Sequence, residues 1–267
     1  MQTKLKIATW NVNSINVRFD ILENWLINNS IDIALLQETK CEAYKFPSKE
    51  LEALNYRVLI DGQKSYNGVA ILTKFPIISQ SETQYATSFH RNPSATEARY
   101  LETLVQTPIG PVRVICVYVP NGGAINHERY NIKLEFLAAL RMHLAQLAQS
   151  GEKIILGGDL NVAPFDIDVH NPKALQGCLG FSMPEKKLLR EIYNIGYNDC
   201  YRCLYPDTQQ FSWWDYRKPL QENVGWRIDG ILANSLMLDF LNDCYVDYGT
   251  RQQQRPSDHA PVVASFA

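Results

Sequence analysis

Short apolar runs bounded by turn residues recur along the chain, separated by segments whose apolar positions repeat every three or four residues. Leu5–Trp10, Ile31–Gln37, Arg57–Ile60, Val69–Leu72, Tyr100–Val105, Val112–Val119, Lys153–Leu156, Ile228–Leu232 and Val262–Phe266 have the length and composition of strands. Leu134, Leu137, Leu140, Leu144 and Leu147 fall at steps of three and four, which predicts a helix over Glu128–Gln149 with its leucine stripe turned to a core. Phe19–Leu26 reads as a second helix and Glu185–Ile195, opened after Pro184, as a third. Strands of both the hairpin and the helix-separated kind predict an α/β fold, a four-layer sandwich of two mixed β-sheets packed face to face with helices outside. No low-complexity linker interrupts the pattern, so residues 1–267 are read as one domain.

Composition narrows the class. Hydrophobic residues at 46% and charged residues at 20% are those of a self-folding globular chain, not of a disordered one. No stretch approaches the length of a membrane span, and the first twelve residues turn polar at Thr9 and Asn11 before any signal-like apolar region forms, so a cytoplasmic protein is expected. The six cysteines are then expected to be reduced. Cys200 and Cys203 form a lone C-x-x-C without a second ligand pair, for which core packing is a better account than zinc. The net charge of −2 lacks the basic surplus of proteins that hold nucleic acid by bulk electrostatics, so a nucleic-acid enzyme would need its basic residues gathered on one face.

Polar residues gather where the predicted strands end. Asp159 and Asn161 follow Ile154–Leu156 and the glycines 157 and 158, where glycine would let a substrate backbone come close; the plain alternative is an Asx turn closing a strand. Glu38 ends another run, Asn11 and Asn13 end the first, and Tyr118, Pro120 and Asn121 end the run from Val112. Each alone is an ordinary solvated strand end, but ligand sites of layered α/β proteins collect at such ends. Asp258 and His259 lead into the last strand, and Asp229 lies among apolar neighbours, where a buried acid needs a partner. An Asp229–His259 hydrogen bond would fix the imidazole tautomer and favour its charged form. Carboxylates and amides without soft ligands suit Mg²⁺, with Mn²⁺ as substitute, and phosphate ester hydrolysis is the matching reaction.

The segments Trp10-Asn11-Val12-Asn13, Leu36-Gln37-Glu38-Thr39-Lys40, Tyr118-Val119-Pro120-Asn121-Gly122, Gly158-Asp159-Leu160-Asn161, Phe211-Ser212-Trp213-Trp214-Asp215-Tyr216-Arg217, Arg227-Ile228-Asp229 and Ser257-Asp258-His259-Ala260-Pro261 stand in one order along nearly the whole chain. In them the sequence resembles the exonuclease III type of AP endonucleases, within the endonuclease/exonuclease/phosphatase superfamily. The resemblance implies a metal-dependent DNA-repair phosphodiesterase acting on double-stranded DNA at abasic sites or 3′ ends; a monomer is expected, although no residue pattern sets the oligomeric state. By position it implies that Glu38, helped by Asn11 and by Asp258 through water, binds the metal. It makes Asp159 the residue that orients or deprotonates the attacking water and Asn161 the one that holds it. His259, held by Asp229, would stabilise the transition state with Tyr118 and Asn121. Trp213, Trp226 and Ile228 would meet the substrate, Trp213 and Trp226 walling a pocket for a baseless sugar; core packing is the alternative for these tryptophans and for Trp214. Two departures stand out: Asn13 occupies a place where some relatives carry a metal-binding Asp, and Gly122-Gly123-Ala124 lacks an arginine that some relatives insert into DNA.

Overall fold

The computed structural model describes residues 4–79 and 97–267. Among the described residues the first sheet contains β1 (Leu5–Asn11), β2 (Ile33–Gln37), β3 (Arg57–Asp61), β4 (Val69–Thr73), β13 (Leu241–Val246) and β14 (Val262–Phe266), in spatial order β13-β14-β1-β2-β4-β3. The second contains β5 (Ile77–Ser79), β6 (Tyr100–Thr107), β7 (Gly110–Tyr118), β8 (Lys153–Asp159), β9 (Tyr197–Asp199) and β12 (Asp229–Asn234), in order β5-β6-β7-β8-β12-β9. A two-stranded ribbon, β10 (Trp213–Trp214) with β11 (Gly225–Trp226), stands apart. The helices are α1 (Ile15–Asn29), α2 (Ser48–Ala53), α3 (Glu128–Leu147), α4 (Pro172–Leu175), α5 (Met183–Asn194), α6 (Cys200–Leu204) and α7 (Ser235–Leu238).

Period-two alternation splits each strand between two cores. Leu5, Ile7, Ile33, Leu35 and Ile71 of the first sheet pack against Val112, Val114, Cys116, Ile155 and Ile231 of the second. The outer face of the first sheet, through Ala8, Trp10, Ala34 and Leu36, is covered by Leu22, Trp25 and Leu26 of α1 and Leu51 of α2. The outer face of the second, through Ile115, Val117, Ile154 and Leu156, is covered by Leu137, Leu140 and Leu144 of α3 and Leu189 and Ile192 of α5. This is the expected four-layer sandwich, and it explains why the central strands read as near-continuous apolar runs: they are buried on both faces.

Each sheet holds one parallel pair, β1 with β2 and β7 with β8, while β14 and β12 run antiparallel beside them. Parallel neighbours end at the same edge. Asn11 is therefore level with Gln37, next to Glu38, and Tyr118 is level with Asp159. Four strand ends from two sheets open at one rim, which is where the site lies.

Some boundaries differ from those read in the sequence. β8 runs on through Gly157 and Gly158 to Asp159, and β12 begins at Asp229 rather than enclosing it. The glycines serve the protein's own packing, not a substrate backbone: a Cβ on Gly158 would stand 2.0 Å from the Val117 carbonyl oxygen, and one on Gly157 2.6 Å from the Leu35 side chain. Gly158→Ala should therefore force β7 and β8 apart and lower Tm by roughly 2–6 °C in thermal denaturation, an overpacking cost of about 1–3 kcal/mol. Gly157→Ala should cost less, because the end of a leucine can move, and equal Tm values for the two variants would contradict this account. β5, β9 and β13 escape a pattern reading because the first two are three residues long and the third is a half-buried edge strand. All six cysteines are free; Cys200 is in the core as expected, but Cys203 is exposed, being on the outer side of α6. Among the described residues no helix is long and apolar enough to cross a membrane.

Candidate active site

The centre of the site is a pair of carboxylates that the fold places face to face. Asp159, the last residue of β8, is directly opposite Asp229, the first of β12. Like charges at such a position repel. His259 relieves this: its Nδ1 lies 2.8 Å from Asp229 Oδ2 and its Nε2 3.9 Å from Asp159 Oδ2. Burial alone would strip the imidazole of its proton, but the charges of Asp229 and Asp159 dominate and raise its pKa to about 10, so at neutral pH it is a cation. Burial, followed by the charge of Asp229, pushes Asp159 up to about 7 against the opposing pull of His259 and Asn11. An acid with an ordinary pKa would be a feeble base; this one is tuned near neutrality.

The terminal loop is tied in place from several sides. Trp10 Nε1 donates to the His259 carbonyl, Ser257 Oγ donates to the Asn11 carbonyl, and the His259 backbone bridges to Trp213. Ser212, quoted above only as part of a motif, proves to be the second anchor of the pair. Its hydroxyl donates to Asp229 Oδ2 at 2.6 Å and accepts from the backbone N–H groups of Ile228 and Asp229. A Ser standing before aromatics carries no spacing signal that could have revealed this.

Glu38 faces the pair across the cleft. Its Oε1 accepts from Asn11 Nδ2 and Tyr118 Oη, and its Oε2 pairs with Lys40 Nζ at 2.7 Å. Burial acts to raise its pKa, but Lys40 and the Asn11 hydrogen bond outweigh it and hold the carboxyl below its usual range. Asn11 Nδ2 donates also to Asp159 Oδ2, so Asn11 turns its nitrogen, not its oxygen, toward both acids. Burial and the charges of Glu38 and Asp159 keep the Tyr118 hydroxyl protonated, and the Arg99 guanidinium lies 4.6 Å above its ring. Asn161 fixes Asp159 through its backbone N–H and is itself held by the Val119 carbonyl and by Asn121. Glu38 and Lys40 have φ of 51° and 54°, a left-handed conformation that such residues adopt at a cost of roughly 1–3 kcal/mol, while Asn13 and Asn161, at 46° and 51°, are of a type that tolerates it.

The cleft has a volume of about 300 Å³. Trp213, paired with Trp226 across the β10–β11 ribbon, forms one wall with Trp226 and Ile228, while Leu179 and Gly180, before α5, form another. Trp214 is core, its indole N–H donating to Asn223. Asp258 accepts from Asn13 Nδ2 and Trp213 Nε1; burial raises its pKa, but His259 and these two donors bring it below the usual carboxylate range. Thus every residue expected from the sequence lies in or beside one cleft.

Glu38, Asp159 and His259 offer ligand atoms within 4.8 Å of one another, a possible metal cluster. His259 as a cation cannot ligate, which leaves carboxylate oxygens, a donor set that fits a hard divalent ion.

A buried acid beside a histidine held by a second acid, at a rim of strand ends, is an arrangement suited to hydrolysing a phosphodiester. The profile of the Endonuclease/Exonuclease/phosphatase family matches residues 8–259. The chain is 31% identical to exodeoxyribonuclease III of Haemophilus influenzae, over 98% of this chain and 100% of that protein. It is 30% identical to an exodeoxyribonuclease of Bacillus subtilis, over 97% and 98%. Among solved structures, a 3′ phosphatase from Neisseria bound to product DNA hairpin superposes with a TM-score of 0.87 at 34% identity, covering 98% of this chain and 99% of that one. An AP endonuclease from Archaeoglobus fulgidus gives 0.85 at 33%, with the same coverage. The chain belongs to the exonuclease III family of the endonuclease/exonuclease/phosphatase superfamily. It is a DNA-repair nuclease of the exodeoxyribonuclease III / AP endonuclease type.

Proposed function

We propose that this protein is a Mg²⁺-dependent AP endonuclease of base excision repair that cuts duplex DNA on the 5′ side of an abasic site and leaves a 3′-hydroxyl. The same site would remove 3′ phosphates and 3′ phosphodiester blocks and degrade strands 3′→5′. One observation carries the reading: Asp159, with His259 Nε2 3.9 Å away and held by Asp229, lies on the floor of a cleft walled by Trp213, Trp226 and Ile228. The Neisseria 3′ phosphatase with its DNA product supports a 3′ end as a substrate. We take the chain to act as a single-domain monomer in the cytoplasm.

In this reading Asp159 accepts a proton from water as the water oxygen bonds to phosphorus and the bond to the 3′ oxygen breaks; the released oxygen takes a proton from solvent and becomes the 3′-hydroxyl. Asn161 orients the water, and the His259 cation, Tyr118 Oη and Asn121 meet the charge that grows on the phosphoryl oxygens. Glu38 would hold the ion, with Asp258 reaching it through water and Asn11 orienting Glu38 by its amide N–H. When bound, the ion adds Lewis-acid charge at the phosphate. Trp213, Trp226 and Ile228 admit a sugar without its base and exclude one that carries it.

Abasic and intact duplex oligonucleotides, each with Mg²⁺ or EDTA, provide the test. Incision of the abasic strand alone, abolished by EDTA, is expected; no Mg²⁺-dependent incision overturns the reading. Trp226→Ala should reduce the preference for abasic over intact duplex roughly tenfold or more. Undiminished preference removes Trp226 from the pocket.

A further inference from the structure

Lys133 on α3 is fully buried, and its ammonium is saturated: three N–H donors meet three acceptors. These are the carbonyl oxygen of Asn121 at 3.2 Å, the carbonyl oxygen of Asn161 at 2.7 Å and Glu185 Oε1 at 2.5 Å. Glu185, also fully buried, accepts in turn from the backbone N–H groups of Gly180 and Ser182 and from the Ser182 hydroxyl. Three loops that line the cleft, after β7, after β8 and before α5, are thus joined through one ion pair.

Stability alone does not account for such a pair, since apolar residues of similar volume hold two helices together as well or better. What apolar residues cannot do is grip carbonyl and amide groups of three separate loops at set distances. Asn161 adopts a left-handed φ of 51°, one of several conformations open to an asparagine, and the Lys133 hydrogen bond to its carbonyl selects it.

We propose that Lys133 and Glu185 are positioning residues that set the width of the substrate cleft by fixing the backbones of Asn121, Asn161 and Gly180. The proposal rests on the reading of Asn121 and Asn161 as substrate-contacting residues.

The test is the double variant Lys133→Met/Glu185→Gln, in which no buried charge is left unpaired and glutamine keeps the cap on α5. Lys133→Met alone should lose much of its Tm, and the double variant should regain most of it. Despite that recovery, its kcat on abasic duplex should fall at least roughly tenfold with KM little changed, because misplacing reacting groups by a fraction of an ångström slows the chemical step. Leu147→Ala, at the far end of the same helix, should lower Tm while keeping kcat. Hydrogen–deuterium exchange should quicken over residues 119–123, 160–163 and 178–183 of the double variant and not elsewhere. Wild-type kcat and unchanged exchange in the double variant overturn the proposal. Failure of the wild type to incise abasic DNA overturns the proposed function instead, and exchange then decides the loop clamp by itself.

Discussion

Asp159→Asn is expected to fold with a Tm at or above that of the wild type and to lose kcat by about 10²–10⁴-fold, the usual contribution of a general base. The amide keeps the oxygen that accepts from the Asn161 N–H and gives up the acceptor of Asn11 Nδ2, so the proton acceptor is lost at the cost of one hydrogen bond. Stability should not fall, because the substitution removes one of two buried carboxylates that face each other across β8 and β12. The wild type carries a matching pH signature. Asp159 has its pKa raised to about 7, so it is protonated below that pH and cannot take a proton from water. Activity should therefore rise with pH, about tenfold per unit, up to near 7, and level off above it. A rate that is flat from pH 5 to 8, or an Asp159→Asn rate within tenfold of wild type, contradicts a base at Asp159.

His259→Ala should be damaging in two separable ways. It removes a preorganised cation aimed at the developing charge, which should reduce kcat by about 10²–10³-fold. It also leaves Asp229 buried without its partner, a change that typically costs about 3–5 kcal/mol. Adding Asp229→Asn to His259→Ala should restore most of the lost stability and none of the activity, measured by thermal denaturation and single-turnover kinetics. Restored activity would show that His259 matters only for folding. Asp229→Asn alone should let the histidine fall from about 10 toward the ordinary imidazole range, so activity at pH 8 should drop while activity at pH 6 is kept better. The sign for stability follows from the same shift. A histidine whose pKa is raised on folding stabilises the native state in full below about 6.5 and loses that contribution as pH climbs through about 10. Wild-type Tm should decline over that window, and the decline should vanish in the double variant.

Much of this site was legible before any fold was known. The acids, amides and histidine were recognisable because each follows or opens an apolar run, and the alternation that marks a strand is a local property of the chain. The position of the Asp229–His259 bond was legible too, since a carboxylate among apolar neighbours requires a partner and few histidines could supply one. Ser212 was not, because nothing near it in the chain reveals that its hydroxyl meets Asp229, 17 residues away. In the chain Gly157 and Gly158 look like room for a substrate backbone, but what crowds them is Val117 and Leu35, which are contacts between strands and between sheets. Lys133 passed as one more residue of a leucine-striped helix.

Periodicity and residue type act over a few neighbours, so the layers, the strand ends that carry chemistry and the kinds of donor available there are written in the chain. How those groups behave depends on the closed fold. Asn11 and Asp159 are 148 residues apart and share a hydrogen bond at 2.9 Å. Asp159 and Asp229 repel because two strands happen to pair in that register, and His259 is charged because it lies between them. Proton affinity and side-chain direction depend on burial and on charges a few ångströms away in space, and those distances come into being only when the two sheets close on each other.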